Sequence, residues 1–279
     1  MLEKPFCLEG KLILVVGAGT GIGRGVALEL ARQGADVALS YRGSVEGALS
    51  AVEAIQSIGR RALAIQVDMA KVADCRKLVD EAIDFLGGLD GLFNNAGITF
   101  TKDFLDVSEE EFDRIYQTNI RGQYFTCQQA VPHLIRRGQE LSQRFPGRPW
   151  AGGSIVNVSS VHGVAGFAGH SVYAGTKGAI NAFSRELAVE LCEKHIRVNV
   201  LAPGTIEVPS YFSDPNYTRQ AGDSVVPWGR VGLPEDVGYL AAYLMSDAAE
   251  FMTGHILHFD GGLTAKMAID IKPAQGERR

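Results

Sequence analysis

The sequence predicts an α/β fold: a doubly wound parallel sheet of about seven strands. Short apolar runs closed by glycine or polar residues alternate along the chain with segments whose apolar residues recur at helical spacing. Strands alternating with helices build βαβ units, and these give a parallel sheet covered on both faces. The first strand also runs directly into a glycine-rich turn and a helix. The 279 residues, 46% hydrophobic, are enough for one domain with a large core. A single domain is expected over 1–279, with its core at about 8–264. It carries a long connecting segment at about 205–232 and a polar tail from Lys266.

Lys11–Val16 (KLILVV) reads as the first strand. It leads into Gly17, Gly19, Thr20, Gly21, Ile22 and Gly23, and then into helical spacing through Val26, Ala27, Leu30 and Ala31. Glycines allow close approach to a pyrophosphate, and the helix start offers free N–H groups and the positive end of its dipole. The spacing is GxxxGxG, which predicts nucleotide binding; a tight turn without a ligand is the alternative. Asp36–Tyr41 is the second strand, and its C-terminal end is where an adenosine ribose is met in this kind of fold. No carboxylate stands there to bond a 2′-hydroxyl. Tyr41 and Arg42 follow Ser40, and Arg42 either pairs with a 2′-phosphate or stands solvated. The expectation is NADP ahead of NAD.

Val45–Ser57 is a helix, and Arg61–Val67 is a strand ending at Asp68, with Met69 beside it, placed to contact adenine. Lys71–Phe85 is helical. A fourth strand from Gly91 runs into Asn94, Asn95, Ala96 and Gly97, small and amide residues suited to packing on a cofactor. Glu109–Arg136 reads as one long helix, opened by a capping box of Ser108 and Glu111. Asn119 lies inside it, where an amide needs partners. Residues 138–153, with Pro146, Gly147, Pro149 and Trp150, read as a surface loop. Arg197–Ala202 is the sixth strand, ended by Pro203 and Gly204. Residues 205–232 read as a long loop suited to a lid. Pro234 fits the first position of a helix, and Ile256–Phe259 is the last strand.

Between the fourth helical region and the sixth strand lies GSIVNVSSVHGVAGFAGHSVYAGTK (153–177). Its apolar run delivers Ser160 to an open edge. Tyr173 and Lys177 fall one turn apart on a common helix face. A phenol ionises near ~10, and an ammonium alongside is expected to lower that value. Tyr173 would then exchange a proton with an alcohol or carbonyl oxygen.

The net charge of −5 argues against nucleic acid or an anionic membrane as partner. No apolar run approaches the ~20 residues of a membrane helix, and the N-terminus lacks a secretory signal's apolar core. Cys7, Cys75, Cys127 and Cys192 are scattered, which fits reduced thiols in a cytoplasmic protein. The six histidines form no ligand cluster, so no metal is expected.

GAGTGIG (17–23), Asp68, NNAG (94–97), the Asn119 helix, Ser160, YAGTK (173–177), PG (203–204) and DGG (260–262) occur in one order and spacing. Through them the chain resembles the short-chain dehydrogenase/reductase family, oxidoreductase branch, with its Rossmann-type domain, over about residues 8–264. The resemblance implies an NAD(P)-dependent enzyme interconverting a secondary alcohol and a carbonyl. It implies Tyr173 as acid/base, Lys177 as the residue that tunes it and bonds the nicotinamide ribose, and Ser160 holding the substrate oxygen. It implies Asn119 holding a water that links Lys177 to solvent, and Thr205 meeting the nicotinamide amide. Val16 departs from the threonine of many relatives and removes a turn hydrogen bond. VALSYRGS, PGTIEVPSYF and VPWGRVGLPEDV look most like bacterial glucose and sugar dehydrogenases. Sugar or polyol oxidation is therefore the first expectation, with His162, Glu207 and Tyr211 lining the pocket beside Ser160 and Tyr173. The alternatives are a 3-oxoacyl thioester reductase and a non-catalytic NAD(P)-binding regulator. Relatives are commonly homotetramers.

Overall fold

The computed structural model describes residues 5–145 and 152–267. Seven strands form one sheet: β1 (Leu12–Val16), β2 (Asp36–Tyr41), β3 (Ala62–Gln66), β4 (Gly91–Asn94), β5 (Gly153–Val158), β6 (Ile196–Pro203) and β7 (Ile256–Phe259). Their order is β3-β2-β1-β4-β5-β6-β7, and every pairing is parallel. All five residues of β1 are buried, as a parallel strand covered on both faces requires. Alternation splits them. Ile13 and Val15 join one core with Val26, Leu30 and Val237. Leu12, Leu14 and Val16 join the other with Leu78, Leu134 and Val198.

The helices are α1 (Gly21–Arg32), α2 (Val45–Ser57), α3 (Val72–Leu86), α4 (Glu109–Tyr116), α5 (Gly122–Arg144), α6 (Ser171–Leu191), α7 (Arg219–Val225) and α8 (Pro234–Met245). From β1 the chain winds outward to β3, then returns to place β4 on the other side of β1. That reversal opens a crevice beyond the carboxyl ends of β1 and β4, where such sheets bind ligands.

Three expectations are corrected. The long helix divides into α4 and α5 around a π-helical turn, Gln117–Arg121, that contains Asn119; such turns collect at functional sites. α5 then runs to Arg144, so residues 138–144 are helical rather than loop. Gly138 lies on its buried face, and one glycine among good helix formers lowers helix stability without ending the helix. The rest of that expected loop, with Trp150, falls outside the described residues apart from Phe145, Gly152 and Gly153. Finally, 205–232 is not all loop. It holds a 3-10 turn at Pro209–Ser213 and α7, whose N-cap Thr218 accepts a hydrogen bond from Ala221 N. The capping box of Ser108 and Glu111 and Pro234 at the start of α8 are as expected. No helix among the described residues is long and apolar enough to cross a membrane.

Candidate active site

The crevice is a cleft of about 1000 Å³. Gly17, Gly19, Thr20, Gly21 and Ile22 line one end of it. Gly17 has φ +77° and Gly21 φ +56°, conformations that favour glycine. Two side-chain hydrogen bonds hold Gly17. Gly17 N donates to Ser40 Oγ (3.0 Å), and Asn95 Nδ2 donates to Gly17 O (3.0 Å). Ser40 therefore supplies a turn bond alongside Val16. Gly23 does not line the cleft. A Cβ there would strike the Gly17 carbonyl, so its role is to let α1 pack beneath the turn.

Tyr41, Arg42, Asp68 and Met69 continue the wall. The Arg42 carbonyl accepts from Gln66 Nε2 (2.9 Å), while its exposed guanidinium has no ion-pair partner among the described residues. Asn95, Ala96 and Gly97 follow β4, and Pro203, Gly204 and Thr205 follow β6. A Cβ on Gly204 would meet Asp260. Asp260 in turn accepts from Gly262 N, Thr264 N and Thr264 Oγ1, which accounts for the DGG sequence.

At the other end, β5 delivers Ser160 and α6 presents Tyr173 and Lys177, all three on the wall. Ser159 also lines the cleft, but its hydroxyl is committed, donating to the Lys177 carbonyl (3.0 Å). Lys177 Nζ donates to Val158 O (2.9 Å) and stands 5.3 Å from the centre of the Tyr173 ring. Burial pulls the lysine down to about 7. Burial also pushes Tyr173 up to about 12, against a hydrogen bond with Ser160 that favours the phenolate. This reverses the expected direction for Tyr173. Desolvation of the phenol, with the Tyr211 hydroxyl adding to it, outweighs the Ser160 hydrogen bond.

Asn119 is fully buried and lies behind the wall. Its Oδ1 accepts from Ile98 N (2.8 Å), and its Nδ2 donates to Ile98 O (2.9 Å) and Thr176 Oγ1 (3.2 Å). A Cβ on Gly97 would sit 3.3 Å from Asn119 Oδ1 and 3.6 Å from Lys177 Nζ. The bare glycine thus leaves space where the two side chains converge.

His162 and Tyr211 reach the cleft as expected, and Glu207 does not. Its side chain is 5% exposed. It accepts from Tyr217 Oη (2.8 Å), from Arg219 Nε (3.0 Å) and from the second Arg219 nitrogen, Nη2. The neighbours Ile206 and Val208 line the cleft instead. Sequence reasoning missed Phe167 and His170. The rings of His162 and His170 are 4.9 Å apart, and His162 stands edge-on to Tyr173 at 5.5 Å. His170 lies three residues before Tyr173, which was the available signal.

A dinucleotide fits these residues. The glycine turn leaves room at a helix start for phosphates. Lys177 spends one of its three donors on Val158, which leaves two for ribose hydroxyls.

A family model described as enoyl-(acyl carrier protein) reductase matches residues 17–264. The chain is 39% identical over 267 residues to a versicolorin reductase of Emericella nidulans, covering 91% of this chain and 96% of that one. It is 35% identical over 274 residues to a hydroxynaphthalene reductase-like protein of Metarhizium anisopliae, covering 93% and 97%. A short chain dehydrogenase from Burkholderia cenocepacia, solved in complex with NADP, superposes with a TM-score of 0.82 at 34% identity, covering 92% and 99%. A short-chain type dehydrogenase/reductase from Mycobacterium marinum gives 0.83 at 34%, covering 94% and 99%. With this agreement of sequence, sheet order and cleft, the chain belongs to the short-chain dehydrogenase/reductase family and is an NAD(P)-dependent oxidoreductase.

Proposed function

We propose that the chain reduces a carbonyl on a hydroxylated aromatic compound, using NADPH, through Ser160, Tyr173 and Lys177. The observation that carries this is the wall around Tyr173. It is aromatic, built from His162, Phe167, His170 and Tyr211, and suits a planar ring better than an open polyol. The names of the versicolorin and hydroxynaphthalene reductases support the same class. The sugar reading is weakened because Glu207 is committed to Arg219 and Tyr217.

The nicotinamide, when bound, supplies the hydride to the carbonyl carbon. Tyr173 gives its proton to the carbonyl oxygen, and Ser160 donates a hydrogen bond to that oxygen. A tyrosine at about 12 holds its proton at neutral pH, as a donor must. Lys177 at about 7 is tuned to pass a proton toward it. Asn119 holds the Ile98 backbone beside the space shared with Lys177, which supports a water there. NADP is favoured over NAD because Arg42, just past the end of β2, has no ion-pair partner among the described residues. Tyr124 and Val189, exposed on α5 and α6, support assembly into a tetramer.

The test is initial-rate loss of reduced-nicotinamide absorbance. The panel holds hydroxylated aromatic ketones, open-chain ketones and a 3-oxoacyl thioester, with aldoses and polyols assayed in the oxidative direction. The aromatic ketones should turn over fastest, with NADPH preferred. Faster turnover of sugars or of the thioester would overturn the substrate class.

A further inference from the structure

From residue 208 to residue 225 no side chain is buried. This segment includes the 3-10 turn at Pro209–Ser213 and the whole of α7, and it places Val208, Tyr211 and Val225 on the cleft wall. Phe212 and Val225 are exposed. The segment therefore has little apolar burial to fix its conformation. Ile206 and Glu207 on one side and Val226 on the other are buried.

What ties its middle down is polar. Glu207, at the end of the β6 connection, has its backbone N bonded to Gly232 O (2.9 Å). Its buried carboxylate is not part of the cleft lining and takes Tyr217 Oη and the Arg219 guanidinium in a forked arrangement. Arg219 also holds the carboxyl below the usual range, so it stays charged at neutral pH. Tyr217 carries the tie onward. Its ring packs on Tyr211 at 5.1 Å and on Phe212 at 5.5 Å. A Cβ on Gly222 would come within 3.2 Å of the Tyr217 hydroxyl, so α7 is seated on it as well. A second tie, Val231 N to Asp223 Oδ1 (2.8 Å), holds only the far end.

We propose that Glu207 is a positioning residue for substrate selection: through Tyr217 and Arg219 it sets Tyr211 and α7 against the reacting end of the cleft. This rests on the reading of the cleft as a carbonyl-reducing site. A buried carboxylate with a forked guanidinium holds one geometry, and a wall of fixed shape selects among substrates where a loose one does not.

The experiment compares Glu207→Gln, Arg219→Ala and their combination. Three quantities are read: KM and kcat for the carbonyl substrate, the dissociation constant of NADPH by fluorescence, and the rate of chymotrypsin cleavage mapped to Tyr211–Tyr217. Each single variant should raise KM roughly tenfold, with kcat and NADPH binding changed less than about twofold. Cleavage should be faster by a similar factor, and the double variant should be no worse than the worse single, as members of one network behave. Unchanged KM and cleavage, additive effects, or a parallel loss of NADPH binding and melting temperature would each overturn the proposal. The cleavage and NADPH arms need no substrate. If no aromatic ketone turns over in the wild type, the substrate reading fails while the tie between Glu207 and the segment is still tested.

Discussion

The two ends of the cleft are built differently. The dinucleotide end rises from β1, β4 and the glycine turn, with every residue of β1 buried and the turn tied to β2 and β4 by Ser40 and Asn95. The other end is bordered by residues 208–225, none of them buried and tied through the carboxylates of Glu207 and Asp223. A shared cofactor demands one fixed cradle. Substrates differ, and the segment that meets them is the part whose shape depends on few contacts.

The largest effect is expected at the reacting groups, and the next at the rigid end. Ser160→Ala should lower kcat by about 10²- to 10³-fold, the cost of removing one donor to a developing oxyanion, with NADPH binding unchanged. Gly23→Ala forces a methyl onto the Gly17 carbonyl. Such overpacking costs about 1–3 kcal/mol, and the dissociation constants of both NADPH and NADH should rise together. Arg42→Ala is more selective. It should weaken NADPH binding about 10- to 100-fold, as loss of a charged hydrogen bond does, and leave NADH within about twofold. Equal loss for both would show that Arg42 does not read the phosphate.

The last prediction concerns stability rather than activity. Lys177 is held at about 7 in the folded protein, below its ordinary 10.5. Between those values the unfolded chain binds more protons, so wild-type stability from this group rises with pH across 7 to 10.5 and is lost as pH falls through 7. Thermal melts of Lys177→Met against wild type should therefore show a difference that favours the variant most near pH 6.5 and narrows toward pH 10. A constant difference would mean that the lysine is not desolvated in the folded protein.

The same contrast explains what the sequence revealed. The glycine turn, the strands of the sheet and the Tyr173–Lys177 pair are local patterns, and each is set by residues within a turn of one another. Glu207 was misread because its partners, Tyr217 and Arg219, lie ten and twelve residues on, and no periodicity connects them. α7 was missed because none of its residues is buried, so no apolar stripe marks it. Tyr173 stands on the cleft wall, but burial pushes it up rather than down. Spacing shows that an ammonium is near; it does not show that both groups are dry.

The most direct measurement is single-turnover hydride transfer by Tyr173→Phe beside wild type, with NADPH binding measured on the same samples. A rate at least about 10³-fold lower, within the range for loss of a positioned acid, with NADPH affinity retained, is the result expected if Tyr173 supplies the proton. A rate within about tenfold of wild type would contradict that assignment, since a positioned acid contributes more than this.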